Sequence, residues 1–267
     1  ITTEEAYWAS RPGVITTPLG NKLKLFKPKD EVFSMGAPRR EPGRRANEAE
    51  KRIQLQRPFY FAITETSNKE YRQWKSEHNS SSIRGLSLDL NDQPVSNIAW
   101  QDAALFCNWL SEKENLPKFY NVVDDRVTSM NWDSNGYRLP TESEWSWVAK
   151  VTKAGSTKVF PWNSPSYPPP FVSGNYADES AKSMLPFTIS NYNDSFPVSA
   201  SVGSFQPNEK GIFNLSGNVA EWVNDFYEIR VNKSEPLVDY RGPNTGNRHV
   251  IRGASSVSYT HLTLPTT

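Results

Sequence analysis

Apolar positions along this chain come in short runs rather than long periodic blocks. Lys22–Phe26 alternates as KLKLF, Val32–Met35 runs into Gly36, and Pro58–Thr64 carries three aromatics. Short alternating or β-rich runs bounded by glycine or proline predict strands. His249–Arg252 (HVIR) reads as another, and so does Tyr137–Pro140 (YRLP), stopped by its proline. Extended pieces are expected at Gly211–Asn214 and Asn218–Val223, around Ser216-Gly217. Helical spacing is clearest at Trp100, Ala103, Ala104, Cys107 and Leu110, which share one stripe. Two capping boxes predict helix starts. Ser67–Glu70 opens a short helix carrying Tyr71 and Trp74, and Thr141–Glu144 opens one carrying Trp145, Val148 and Ala149. From Phe160 to Phe205 the chain is rich in Pro, Ser, Asn and Tyr with no sustained period. A loop of that length in a compact domain needs metal ions, aromatic packing or a binding role to hold it.

Composition sharpens this picture. The 267 residues suit one large domain. Nine Trp, 11 Tyr and 13 Phe supply much of the apolar area, which favours an irregular, loop-rich fold over a bundle or parallel sheet. The net charge of +1 argues against a nucleic-acid partner. The interleaved acids and bases of Arg39–Arg52 read as a solvated loop. No run of eighteen apolar residues predicts a membrane span. The single cysteine, Cys107, cannot form an internal disulfide, and its place on the apolar stripe marks it as core.

Candidate chemistry concentrates in Asn214-Leu215-Ser216-Gly217-Asn218-Val219-Ala220-Glu221-Trp222. An amide oxygen, two backbone carbonyls at a glycine turn and a carboxylate lie within eight residues, a donor set that suits Ca²⁺. From spacing alone, turn asparagines and a surface glutamate are the favoured reading. The three histidines, His78, His249 and His261, are scattered, and no phosphate-binding loop occurs.

Five segments together change that weighting. They are Phe33–Gly36, Pro94–Ala103, Tyr137–Trp145 (YRLPTESEW), Gly211–Trp222 (GIFNLSGNVAEW) and Val250–Ser255. In order and spacing they resemble the formylglycine-generating-enzyme, or sulfatase-modifying-factor, family. The resemblance implies that family's variant of the C-type-lectin-like fold, α+β with low regular secondary structure, and structural calcium at two places. One matches Asn214 and Glu221 through side chains, with Gly217 and Val219 through carbonyls. The other resembles Asn175 and Asp194 through side chains, with Tyr176 and Phe196 through carbonyls. The division this implies is a lead-in at 1–31, the domain at 32–255 and a tail at 256–267 that reads as non-native.

Catalytic members of the family oxidise a cysteine of a sulfatase segment, in a Cys-x-Pro-x-Arg stretch, to formylglycine with O₂ and copper. Two cysteines beyond the Gly-Gly-Ser segment hold Cu(I), as soft thiolates should. Here the segment is Gly253-Ala254-Ser255; Ser255 matches the active-site serine, but Ser258 stands where the first cysteine is expected. Cu⁺ would need a native continuation carrying two cysteines. Two readings follow: an oxidase acting on a sulfatase segment, or a non-catalytic, calcium-stabilised module of a surface complex. Calcium sites of this kind favour an extracytoplasmic setting.

Overall fold

The computed structural model describes residues 3–37, 48–160, 162, 164–229 and 235–256. Most of the Arg39–Arg52 run, Ser258 and the tail past Ser256 lie outside the described residues. The first half holds α1 (Thr3–Ser10), β1 (Val14–Thr16), β2 (Lys22–Phe26), β3 (Val32–Met35), β4 (Lys51–Gln54), β5 (Phe59–Ala62) and α2 (Asn68–Tyr71). Then come β6 (Ser82–Ile83), β7 (Leu86–Ser87), α3 (Trp100–Lys113), β8 (Tyr120–Val123) and β9 (Arg126–Met130). The remainder holds α4 (Glu142–Lys150), a 3₁₀ turn at Glu179–Ala181, β10 (Glu221–Phe226), β11 (Leu237–Val238) and β12 (His249–Arg252).

The sheets are small: β1-β2-β5, β11-β4-β3, and the pairs β10-β12, β8-β9 and β6-β7. They are too small to stand alone, so aromatic packing joins them. Phe26, Phe33, Ile53, Phe59, Phe61, Trp145, Trp147, Val223 and Val250 form the main core between α4 and three of the sheets. Trp147 meets Phe26 and Phe59 edge-to-face at 5.7 and 6.2 Å between ring centroids. The segment read as a lead-in therefore contributes structure: β2 pairs with β5, and Phe26 is core. A second cluster packs α3 on β8 and β9 through Trp100, Ala104, Cys107, Phe119 and Tyr120. Cys107 is buried there, and desolvation pushes its thiol up to about 12.

Both capping boxes form. Thr141 Oγ1 accepts from the Glu144 N–H at 3.1 Å, while Glu144 Oε2 accepts from the Thr141 N–H at 2.8 Å. Arg138 clamps the same carboxylate with two bonds of 2.6 and 2.8 Å. Beneath α4 runs a buried ionic network. Glu142 and Arg252 are each 4% exposed; Arg252 donates to Glu142, Lys51 Nζ lies 3.9 Å from Glu142 Oε2, and Asp225 Oδ2 accepts from the Glu142 N–H at 2.8 Å. Burial, then the Glu142 charge, raises the Asp225 carboxyl well above its ordinary range.

Four local expectations need correction. Tyr137–Pro140 is not a strand. Its N–H groups bond to side chains instead of a ladder: Tyr137 N–H to Ser111 Oγ at 2.8 Å and Leu139 N–H to Tyr120 Oη at 3.1 Å. Neither Gly211–Asn214, whose ends have φ +81° and +58°, nor Asn218–Ala220, which begins at φ +71°, is a strand, so the ladder starts only at Glu221. Trp74 lies beyond α2, which closes after one turn at Tyr71.

Candidate cation sites beside a deep cleft

The Asn214–Glu221 loop leads directly into β10, whose pairing with β12 sets Glu221 opposite Arg252. Asn214 and Asn218 both adopt left-handed backbone, φ +58° and +71°, a conformation asparagine tolerates better than most residues. Gly217 is obligatory for space: a Cβ there would stand 2.4 Å from the Asn175 carbonyl oxygen. That contact brings the second expected loop against the first. The Asn218 N–H donates to the same Asn175 carbonyl at 2.7 Å.

Side chains complete the first site. Asn214 donates from Nδ2 to Glu65 Oε2 at 2.9 Å, and its Oδ1 is buried without a partner. Glu221 accepts from Trp145 Nε1 at 2.8 Å. Desolvation, reinforced by the Glu65 charge, pushes Glu221 up to about 8. Burial likewise pushes Glu65 up to about 6, against the two asparagine amides that hold its charged form. Two acidic groups and an orphaned amide oxygen thus face one another with no cationic side chain among their contacts. Glu65 was not singled out from sequence. It lies 149 residues from Asn214, and its only local signal is a place just before the first capping box.

In the second site, Asn175 and Asp194 are buried at 0% and 4% exposure. Asp194 accepts from the Tyr176 and Phe196 N–H groups, each at 2.8 Å, which joins three of the four expected residues; the Asn175 side chain bonds instead to Val198 O and Asn218 Oδ1. Asn175 Oδ1 is also buried and unpartnered. Burial pushes Asp194 up to about 7; the two N–H donors oppose the rise and neighbouring Asp178 adds to it. Among the described residues no group of three or more His, Cys, Asp or Glu could hold a metal.

Beside the first site opens a cleft of about 1510 Å³, lined among others by Glu65, Ile98, Trp132, Arg138, Trp222 and Ser255. Gly253 (φ +82°) lies under the loop, with the Val219 carbonyl 3.4 Å from where a Cβ would stand. The Ser256 N–H donates to the Asn218 carbonyl at 3.2 Å. Ser255 is thereby set at the cleft wall. Cys107, the only cysteine, is locked in the α3 core, so one protonated, buried thiol is all this sequence offers Cu(I), and the donor set does not fit that ion.

Residues 25–266 match the model of the sulfatase-modifying factor enzyme 1-like domain. The chain belongs to that family. It is 28% identical over 164 residues to the formylglycine-generating enzyme of Streptomyces coelicolor, covering 61% of this chain and 42% of the enzyme. It is 29% identical over 184 residues to the chaperone protein LppX of Paenibacillus barcinonensis, 61% of each. It is 25% identical over 217 residues to the mouse inactive C-alpha-formylglycine-generating enzyme 2, covering 70% and 64%. The chain thus spans less than two thirds of each of these relatives, and they include active and inactive proteins. Among solved structures, Treponema denticola variable protein 1 superimposes with a TM-score of 0.64 at 22% identity, over 95% of this chain and 91% of that one. PvdO from Pseudomonas aeruginosa does so with 0.62 at 20%, over 92% and 87%. The family member therefore has the expected α+β, loop-rich, C-type-lectin-like fold. Among its described residues no helix is long and apolar enough to cross a membrane.

Proposed function

We propose that this domain is a calcium-stabilised module that binds an extended polypeptide in its cleft, and that its own residues do not oxidise that polypeptide. The observation that carries the calcium half is the pair of buried, unpartnered amide oxygens, Asn214 Oδ1 and Asn175 Oδ1, the first in a residue bonded to Glu65 and the second in the residue before Tyr176, whose N–H donates to Asp194. Asn214, Gly217, Val219 and Glu221 would hold one ion, and Asn175, Tyr176, Asp194 and Phe196 the other. A bound ion supplies positive charge that the site's side chains lack. It ties the long loop of residues 160–205 to β10, and an extracytoplasmic setting, where free calcium is plentiful, suits it. The cleft sets the Trp222 ring beside polar groups such as Ser96 and Asn97, while Arg138 at its wall is already paired with Glu144; aromatic-lined grooves take extended peptides.

A second reading has one observation in its favour: Ser255, the match to the family's active-site serine, lines that same cleft. It would make the domain an oxidase of sulfatase cysteines. The two readings separate in one experiment. The full chain is mixed with a labelled peptide containing Cys-x-Pro-x-Arg, with calcium, Cu(I) and O₂. Binding seen by fluorescence anisotropy, weakened by chelation and without conversion of thiol to aldehyde by mass spectrometry, is the expected result. Aldehyde formation would instead establish the oxidase. Absence of binding would leave a structural module.

A further inference from the structure

The two cation sites are joined by an unbroken chain of side-chain hydrogen bonds. Asn175 Nδ2 donates to Val198 O at 2.7 Å and to Asn218 Oδ1 at 3.2 Å. Asn218 Nδ2 donates to Glu65 Oε1 at 3.0 Å and to Ala200 O at 3.2 Å. Glu65 Oε2 accepts from Asn214 Nδ2 at 2.9 Å. The two orphaned amide oxygens, Asn175 Oδ1 and Asn214 Oδ1, stand at opposite ends of this chain.

Backbone polarity fixes its direction. Val198 O can only accept, so the Asn175 amide must turn its NH₂ there and its oxygen away. Asn218 is fixed twice, because Oδ1 also accepts from the Ala200 N–H at 2.8 Å while Nδ2 donates to the Ala200 carbonyl. Asn175 and Asn218 are 0% and 1% exposed, so water does not compete for these bonds. An amide group is planar and rigid. To aim oxygen at a cation it must aim NH₂ at the chain, and the chain accepts NH₂ from both ends.

We propose that Asn218 and Glu65 are positioning residues that couple the two cation sites, so that filling either one raises the affinity of the other. The inference rests on the calcium reading above. An ion at the first site offsets the repulsion between Glu65 and Glu221 and so holds Glu65 as the acceptor of both amides, which keeps Asn218 and the Asn175 amide in the orientation that the second ion needs. The second ion meets a site whose ordering has been completed, which is positive coupling. By linkage the effect is the same in the other direction.

Calorimetric titration of the calcium-stripped full chain tests this. Asp194→Ala leaves the first site alone and Glu221→Ala leaves the second alone. In the wild type, the two-ion binding constant is expected to exceed the product of those single-site constants on the order of 10-fold, within the usual range for coupled sites. The excess should fall toward one when the cycle is repeated in Asn218→Gly, which keeps the left-handed backbone, or in Glu65→Gln, which can accept only one of its two amides. Two ions should still bind in both backgrounds, a result that a merely destabilised fold would not give. A wild-type excess of one, or an excess untouched by both substitutions, overturns the coupling and leaves the calcium reading standing. A wild type that binds no calcium at all removes both.

Discussion

Stripping calcium is expected to lower the unfolding midpoint on the order of 10 °C or more, and by a larger margin at pH 8 than at pH 5. An ion held at 100 times its Kd stabilises by about 2.7 kcal/mol, so two sites contribute about 5 kcal/mol. For a domain of this size each kcal/mol moves the midpoint about 2–4 °C. The pH dependence comes from the metal-free side. Without the ions, Glu221, Asp194 and Glu65 are pushed up to about 8, about 7 and about 6. Each lies above its unfolded value of roughly 4. Between those limits the folded, metal-free protein holds more protons than the unfolded chain, so its stability falls as pH rises from about 4 to 8. Calcium replaces those protons and removes the loss. Circular-dichroism melts at pH 5 and pH 8, with and without EDTA, measure both effects. Coincident midpoints would end the calcium reading, and a gap that narrows with rising pH would contradict the assignment of the acids. Hydrogen exchange should place the loosening in the loop of residues 160–205 and leave α3 protected.

The largest single-residue effect is expected at Arg252. Its guanidinium and the Glu142 carboxylate are each 4% exposed and bonded to each other, with Asp225 and Lys51 alongside. Arg252→Met leaves Glu142 charged in a dry site with only Lys51 at 3.9 Å. Breaking one partner of a buried pair costs about 3–5 kcal/mol, which is roughly 10 °C for this chain length. The pair itself contributes much less, since desolvation offsets most of its attraction. The double variant Arg252→Met, Glu142→Leu should therefore recover much of the loss. Urea unfolding of the three proteins decides the point, and a double variant no more stable than the single one would contradict it.

What could be read from sequence was what short-range chemistry fixes. Thr141–Glu144 and Ser67–Glu70 specify their caps within four residues, and both form. The α3 stripe needs only its own periodicity. The strand expected at Tyr137–Pro140 failed because extended φ/ψ was legible and the partner was not: Ser111 and Tyr120 take the N–H groups that a ladder would have used. Glu65 was missed for a related reason. A carboxylate held by two asparagines some 150 residues away has no local pattern to betray it. Asn218 was visible as a turn residue, but its bonds to Asn175, Ala200 and Glu65 depend on three separate loops meeting.

The lone thiol turns this division of the molecule into a clock. Cys107 sits in the cluster that α3 organises by periodicity and packing, which touches the segment after Glu221 through Trp222. A bulky alkylating reagent can reach it only when α3 leaves its neighbours, and burial keeps it protonated until then. Its labelling rate thus counts openings of that cluster, while proteolysis of the loop of residues 160–205 counts openings of the loop. One unaltered polypeptide carries separate timers for its two layers of order.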